Sequence, residues 1–361
     1  MLQKMNHMKL RLWILPFLFA ACIVTSCSKQ AHRQESPRRI FYPAAPDPAR
    51  IQFLKSFASS DDFTGPPSKF RSFVTGKPEP VMIRKPYGLA MKNGRLYIAD
   101  PGAPGLLIVD FGENTCSLFR PDGPGTLKLP VNCYLDEEGK LYVADAERKQ
   151  VVIFDSALEY TGVIDPGGDF GPRDVVVRGD LVLVSDPPAN RICAFDRNSL
   201  EMLRSFPKEA ETGDEAWLYN PVNLSVAGDS IYVTDFGHSR IKVYDTSGNY
   251  LASVGSYGKN FGQFVRPKGI STDRERNLYV VDAGFQNVQL FNGEGQLLLF
   301  FGGAYQGPGD MYLPAKVLVD YENLDYFREY VDPGYDLEYL ILVTNQYGPD
   351  KLNVYGRITP K

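Results

Sequence analysis

Histidine is scarce in this chain: three in 361 residues, at His7, His32 and His238. A zinc centre built on several imidazoles therefore has no ligand set, because only His238 lies in the repeated body of the sequence. Cysteine is thin as well. Beyond Cys22 and Cys27 there remain Cys116, Cys133 and Cys193, an odd number with no C-x-x-C pair. That spacing excludes a disulfide framework or a zinc knuckle and leaves the three as small buried apolar residues. Missing too are a P-loop, a dinucleotide fingerprint and a G-x-S-x-G elbow. Ser239 follows His238, but adjacency in sequence does not arrange a nucleophile and its base. Positive charge is not in excess, with 39 Lys and Arg against 43 Asp and Glu, so the chain carries no electrostatic footprint for nucleic acid. The apolar run "LWILPFLFAACIV" has 13 residues, too short to cross a bilayer.

What is abundant is turn chemistry. With 33 Gly, 27 Pro and 43% hydrophobic residues, many short strands are favoured over long helices. The stretch "LYVADAERKQVVIFD" (141–155) recurs in variants such as "LYIADPGAPGLLIVD" and "IYVTDFGHSRIKVYD". Aligned on the Asp that ends its first strand, the copies fall at Asp100, Asp145, Asp186, Asp235, Asp282 and Asn345. A second Asp follows ten residues later in the first four, and each copy is preceded by a strand opening at Pro86, Pro130, Pro172, Pro221, Pro267 or Pro314. Runs rich in Val, Ile, Leu and aromatics between Gly, Asp and Asn predict four antiparallel strands, a to d, in each of six units. Radial repetition of such units makes a six-bladed, all-β propeller. The sixth unit ends after its strand c, "LNVYG", and "RIQFLKSF" (50–57) has the pattern of the missing strand d. The N-terminal strand is therefore expected to close the last blade, which would otherwise leave an exposed edge.

The units resemble NHL repeats, whose turn between strands b and c reads roughly D-x-G-N-x-R-I-x-V-F/Y-D. "DFGHSRIKVYD" (235–245) matches best and "DPPANRICAFD" (186–196) next, while the other four units lack the Arg that Arg191 and Arg240 supply. Residues 50–356 as a whole are similar to bacterial lipoproteins described as six-bladed NHL propellers. Ahead of them, Lys4, Lys9 and Arg11 precede the apolar run, and "VTSC" (24–27) resembles a bacterial lipobox. That resemblance implies a signal peptide over 1–26 and lipidation of Cys27. Ser28, where Asp would retain the protein at the inner membrane, implies the periplasmic side of the outer membrane. Loss of 1–26 leaves 36 basic and 43 acidic residues, a formal charge of −7, so the anchor must be lipid and not a polybasic surface. The expected organisation is a lipidated Cys and flexible tether over 27–49 followed by a propeller over 50–361.

Two sets of residues stand outside the structural repeat. The spacing of 63 residues between Asp282 and Asn345 marks an insertion at 321–339, rich in acids and aromatics. Tyr321, Asp325, Tyr326, Phe327 and Tyr330 are a candidate partner face, in competition with a short helix packed on the blade rim. A second short helix is expected from Ser68, with Phe70 and Phe73 as anchors. Two residues after each blade-opening Pro the chain places Gly88, Asn132, Asp174, Asn223, Gly269 and Lys316, a ring facing the central channel. Propeller lactonases hold a divalent metal with acidic and amide side chains from inner strands, and Asn132, Asp174 and Asn223 superficially look like such a set. One carboxylate makes a poor hard-metal site, and a water-filled polar channel competes with it. Lys316 in the same ring opposes a cation and favours an anionic ligand or an internal pair with Asp174. The strand-terminal Asp residues are expected to bond the backbone of their own turns, and His238 to cap its turn. These readings converge on a lipid-anchored scaffold that binds another envelope protein, without a cofactor. The alternative is a channel-centred, metal-dependent hydrolase or lyase.

Overall fold

The computed structural model describes residues 39–65, 79–103, 105–208 and 215–361. The leader, Cys27, most of the expected tether and the helix expected from Ser68 lie outside these residues. Strands b and c of each unit are apolar without alternation, as Leu141–Asp145 and Gln150–Phe154 illustrate, because both faces of each sheet are covered by neighbouring sheets. Each sheet thus packs on the next around a ring, giving a six-bladed propeller of antiparallel sheets. The core lies between blades: Tyr142 and Ile153 of the second blade, for example, meet Val182 and Phe195 of the third. Outermost strands such as Leu297–Gly302 have one wet face and alternate accordingly, with Leu299 and Phe301 buried and Leu298 and Phe300 exposed.

The innermost strands are Gly88–Lys92, Pro130–Leu135, Val175–Arg178, Pro221–Ala227, Pro267–Thr272 and Pro314–Asp320. The sixth sheet closes the ring through Ile51–Phe57, which pairs antiparallel with Leu352–Pro360 from Ile51 opposite Arg357 to Phe57 opposite Leu352. A fifth strand, Ile40–Tyr42, adds to the outside of that blade. The expected tether therefore ends by residue 39. Tyr42 explains why: its hydroxyl donates to the Gly309 carbonyl at 2.8 Å and its ring meets Tyr355 edge-on at 6.3 Å.

The insertion is not a helix but two 3₁₀ turns, Leu324–Tyr326 and Arg328–Tyr330, and its end from Tyr335 lengthens strand b of the sixth blade. It folds back onto its own propeller. Phe327 is 1% exposed and sits edge-on to Phe57 and Phe111 at 6.4 and 5.5 Å, so it is a core residue and leaves the candidate partner face. Tyr330 is half-buried, accepting from Lys55 Nζ at 3.0 Å, and Tyr321 lies against Tyr339 under the Arg274 guanidinium. Asp325 and Tyr326 stay exposed, with Tyr326 stacked on Phe111 at 5.3 Å and Asp325 paired to Arg328 at 2.6 Å.

Candidate functional site in the central channel

The repeat Asp residues build the channel mouth before any channel residue is considered. Asp100 accepts from the amides of Arg84 and Lys85 at 2.6 and 2.9 Å, and Asp282 from those of Val265 and Arg266 at 2.8 and 3.0 Å. Asp145 holds Lys128 and Leu129 in the same way. Each carboxylate thus reaches back about 15 residues, well beyond its own turn, to pin the segment that precedes the innermost strand. The own-turn bonds expected from sequence exist as well, for instance from Gly102 and Gly284. The second Asp of the first four units caps the following turn: Asp245 accepts from the Asn249 side-chain amide at 2.8 Å and from the Asn249 and Ser247 backbone amides at 2.8 and 2.9 Å, which holds its carboxyl below the usual range. His238 Nδ1 lies 2.6 Å from Asp235 Oδ2, beside the rings of Trp217 and Tyr219, and is part of its turn.

A register shift interrupts the innermost strands of the second, fourth, fifth and sixth blades just after the opening Pro. Such a bulge redirects a side chain that regular alternation would aim elsewhere. Here it turns Asn132, Asn223 and Lys316 toward the axis. Lys316 Nζ crosses the channel from the sixth blade to donate to Asp174 Oδ2 at 2.7 Å and Asn223 Oδ1 at 3.0 Å. Asn132 Nδ2 donates to the same Asn223 oxygen at 3.3 Å, and Asn223 Nδ2 to the Tyr87 hydroxyl at 3.3 Å. Asp174 also accepts the Val175 and Leu224 amides, both at 2.9 Å. Asn132, Asp174, Asn223 and Lys316 are all 6% exposed or less, so the structure brings the four together as a buried plug. Asp174 is not the water-bathed residue of a solvated channel. Burial pushes its carboxyl above the ordinary range, against the pull of the Lys316 ammonium and the two amides.

Glycine at the other two ring positions makes the crossing geometrically available. A Cβ on Gly269 would lie 2.5 Å from Lys316 Cα, and one on Gly88 2.3 Å from Asn132 Oδ1. The oxygens of Asp174 and Asn223 that a cation would need are filled by the Lys316 ammonium, which corrects the metal set of Asn132, Asp174 and Asn223. Among the described residues no three His, Cys, Asp or Glu side chains converge as a metal cluster. Cys133 and Cys193 are buried and Cys116 half-buried, and burial pushes each thiol up to about 12, which keeps all three protonated.

Beyond the plug, toward the far ends of the innermost strands, lies a cavity of about 490 Å³. Its walls mix Val177, Val226 and Leu318 with the hydroxyls of Ser225 and Thr272, which share a hydrogen bond of 3.0 Å. Arg197 closes one side of its rim, paired to Asp136 at 2.7 Å and Glu138 at 3.1 Å. Sequence reasoning missed this cavity because its lining comes from consecutive residues of strands that read as core. It also passed over the layer on the other side of the plug. The residues immediately after the six Pro are Tyr87, Val131, Arg173, Val222, Lys268 and Ala315. The repeat register would have found them one position ahead of the ring.

Comparison with known proteins agrees on architecture. Residues 209–299 match a family model described as a 6-bladed beta-propeller. Protein brain tumor of Drosophila melanogaster is 25% identical over 99 residues, 27% of this chain but only 9% of that protein's length. A gluconolactonase from Xanthomonas campestris is similar in structure, with a TM-score of 0.55 at 14% identity, covering 89% of this chain and 100% of the other. Virginiamycin B lyase from Staphylococcus aureus, solved with quinupristin, gives 0.52 at 12% identity over 76% and 95% of the two chains. A protein of unknown function from Bacteroides thetaiotaomicron gives 0.54 at 13% over 77% and 70%. At these identities the likeness is one of fold.

Proposed function

We propose that this propeller is a binding or assembly scaffold, held at the periplasmic side of an envelope membrane by lipid on Cys27, and that its partner is another envelope protein. The observation that carries the non-catalytic reading is the Lys316 ammonium at the centre of the ring. In a metal-dependent hydrolase or lyase, the axial oxygens must be free to bind a cation that polarises the substrate. Asp174 and Asn223 instead spend theirs on a lysine from across the channel. For a lactonase-like or lyase-like reaction, the one carboxylate of the ring, Asp174, is already committed to the Lys316 ammonium. Propellers host binding and catalysis alike, so the argument rests on the site and not on the fold.

The insertion contributes to the same reading. With Phe327 in the core, the surface left to a partner is Tyr326 on its Phe111 support, with Asp325 and other acids around it. An aromatic framed by carboxylates suits a basic or apolar docking segment. Thermal unfolding with and without chelator and added Ca²⁺ tests the central claim: the midpoint is expected to be unmoved by either. A chelator-dependent drop in the wild type that is absent from Asp174→Asn would establish the metal-dependent alternative. Mass spectrometry of the mature N-terminus tests the anchor, which requires an acylated Cys27.

A further inference from the structure

The layer directly above the plug alternates in a way the plug does not need. At the position after each opening Pro, the first, third and fifth blades carry Tyr87, Arg173 and Lys268, while the second, fourth and sixth carry Val131, Val222 and Ala315. The three apolar residues are buried and the three polar ones half-buried, so the polar groups of alternate blades keep partial access to solvent at this level of the channel. Lys268 Nζ donates to Gln346 Oε1 at 2.8 Å and lies 6.0 Å from the centroid of the Tyr87 ring. Arg84, Lys85 and Arg266 flank this layer, on the segments pinned by Asp100 and Asp282. Neither Arg173 nor Lys268, nor any of these three, has a carboxylate within salt-bridge distance among the described residues.

Like charges desolvated together normally acquire counter-charges from the protein. The nearby repeat carboxylates Asp100 and Asp282 are turned to backbone amides and make no ion pair with this layer among the described residues, and Asp174 is taken by Lys316 beneath. Burial, with help from Arg266 and Lys85, depresses Lys268 to about 8. Burial also pushes the Tyr87 phenol up, so it stays protonated and keeps its O–H as a donor. Its oxygen receives Asn223 from below, and its own O–H has no acceptor among the described residues.

From this geometry we propose that the channel mouth is a binding site for one small anionic group, a carboxylate or a phosphate, gripped by Arg173 and Lys268 with the Tyr87 hydroxyl as third donor. The plug is its floor, and the blades between the donors bring only the buried Val131, Val222 and Ala315 to this layer. The site does not depend on the scaffold reading, since it is assayed on the isolated protein while the scaffold claim concerns metal and partners.

The test uses purified full-length protein in nonionic detergent at pH 8, with sodium phosphate or sodium acetate titrated at constant ionic strength against chloride. One anion is expected to raise the unfolding midpoint saturably, and which one does so separates the phosphate from the carboxylate class. Arg173→Gln and Lys268→Gln should each abolish the rise, whereas Lys149→Gln, in an exposed pair with Asp169, should retain it. In the wild type the same anion should slow acylation of Lys268, read by mass spectrometry, at least threefold, because a bound negative charge favours the unreactive ammonium. A rise that survives both mouth variants is a general salt effect and overturns the site. So does the absence of any response to both anions, or a Lys268 acylation rate that neither anion changes, a measurement that needs no variant to fold.

Discussion

Asp174→Asn removes one charge from a site where water cannot replace it. The variant leaves the Lys316 ammonium 6% exposed with only the Asn223 oxygen as a strong acceptor. Breaking a buried pair by deleting one partner typically costs about 3–5 kcal/mol, so Asp174→Asn should unfold at markedly lower urea. Replacing both partners with neutral residues of similar volume is often close to neutral. Asp174→Asn combined with Lys316→Met is therefore expected to recover most of the loss. A double variant no more stable than the single would show that the pair is not the unit of stability. Lys268 gives a prediction in pH. Its folded value of about 8 lies below its ordinary 10.5, so the unfolded chain binds the proton more tightly. Between those values the unfolded state holds more protons, and stability rises with pH across that window. Lys268→Met should therefore stabilise the fold below pH 8, by on the order of 1–3 kcal/mol, with the advantage fading toward pH 10.5. The difference between the two denaturation curves at each pH checks it.

The insertion is the element in which sequence pattern and packing part company. Phe327→Ala empties a site enclosed by Phe57 and Phe111 and should cost about 3–5 kcal/mol, as for other buried aromatic truncations. Tyr326→Ala, one residue away but 39% exposed, should change stability by less than about 1 kcal/mol while weakening capture of the partner. Chemical denaturation of the two variants separates an anchor from a docking residue. Acid-and-aromatic composition drew both into one candidate face, because composition does not report which side of a 3₁₀ turn meets the core.

For the whole molecule, ring closure is the feature on which cooperativity turns. Ile51–Phe57 contributes three buried apolar side chains, Ile51, Leu54 and Phe57, and the ladder partners along the outer edge of residues 352–357 in the strand Leu352–Pro360. Deleting residues 50–57 leaves that strand as a bare edge between blades that still press on it. The loss should consume much of a marginal stability of roughly 5–15 kcal/mol and promote aggregation. An equally soluble truncation with one sharp transition would mean the ring closes by other contacts. The plug adds a second closure, because its hydrogen bonds join the first, second, third, fourth and sixth blades across the axis.

The number of blades, their order, the strand that completes the last one and the ring of channel positions were legible in the residues alone. Each follows from a local rule repeated at nearly constant spacing: apolar strand, Asp, tight turn, Pro. That Lys316 would face a carboxylate in the same ring was legible too, since equal register puts equal positions at equal depth. What only the tertiary structure decided is which way each side chain turns and what it meets. The bulges after Pro130, Pro221 and Pro314 set Asn132, Asn223 and Lys316 on the axis, and a one-residue shift in register is invisible in a pattern with period two. The reach of Asp100 and Asp282 to amides some 15 residues upstream, and the unneutralised layer of Arg173 and Lys268, arise where separate blades converge. Charge in a sequence is counted along the chain, but it is desolvated and compensated across space.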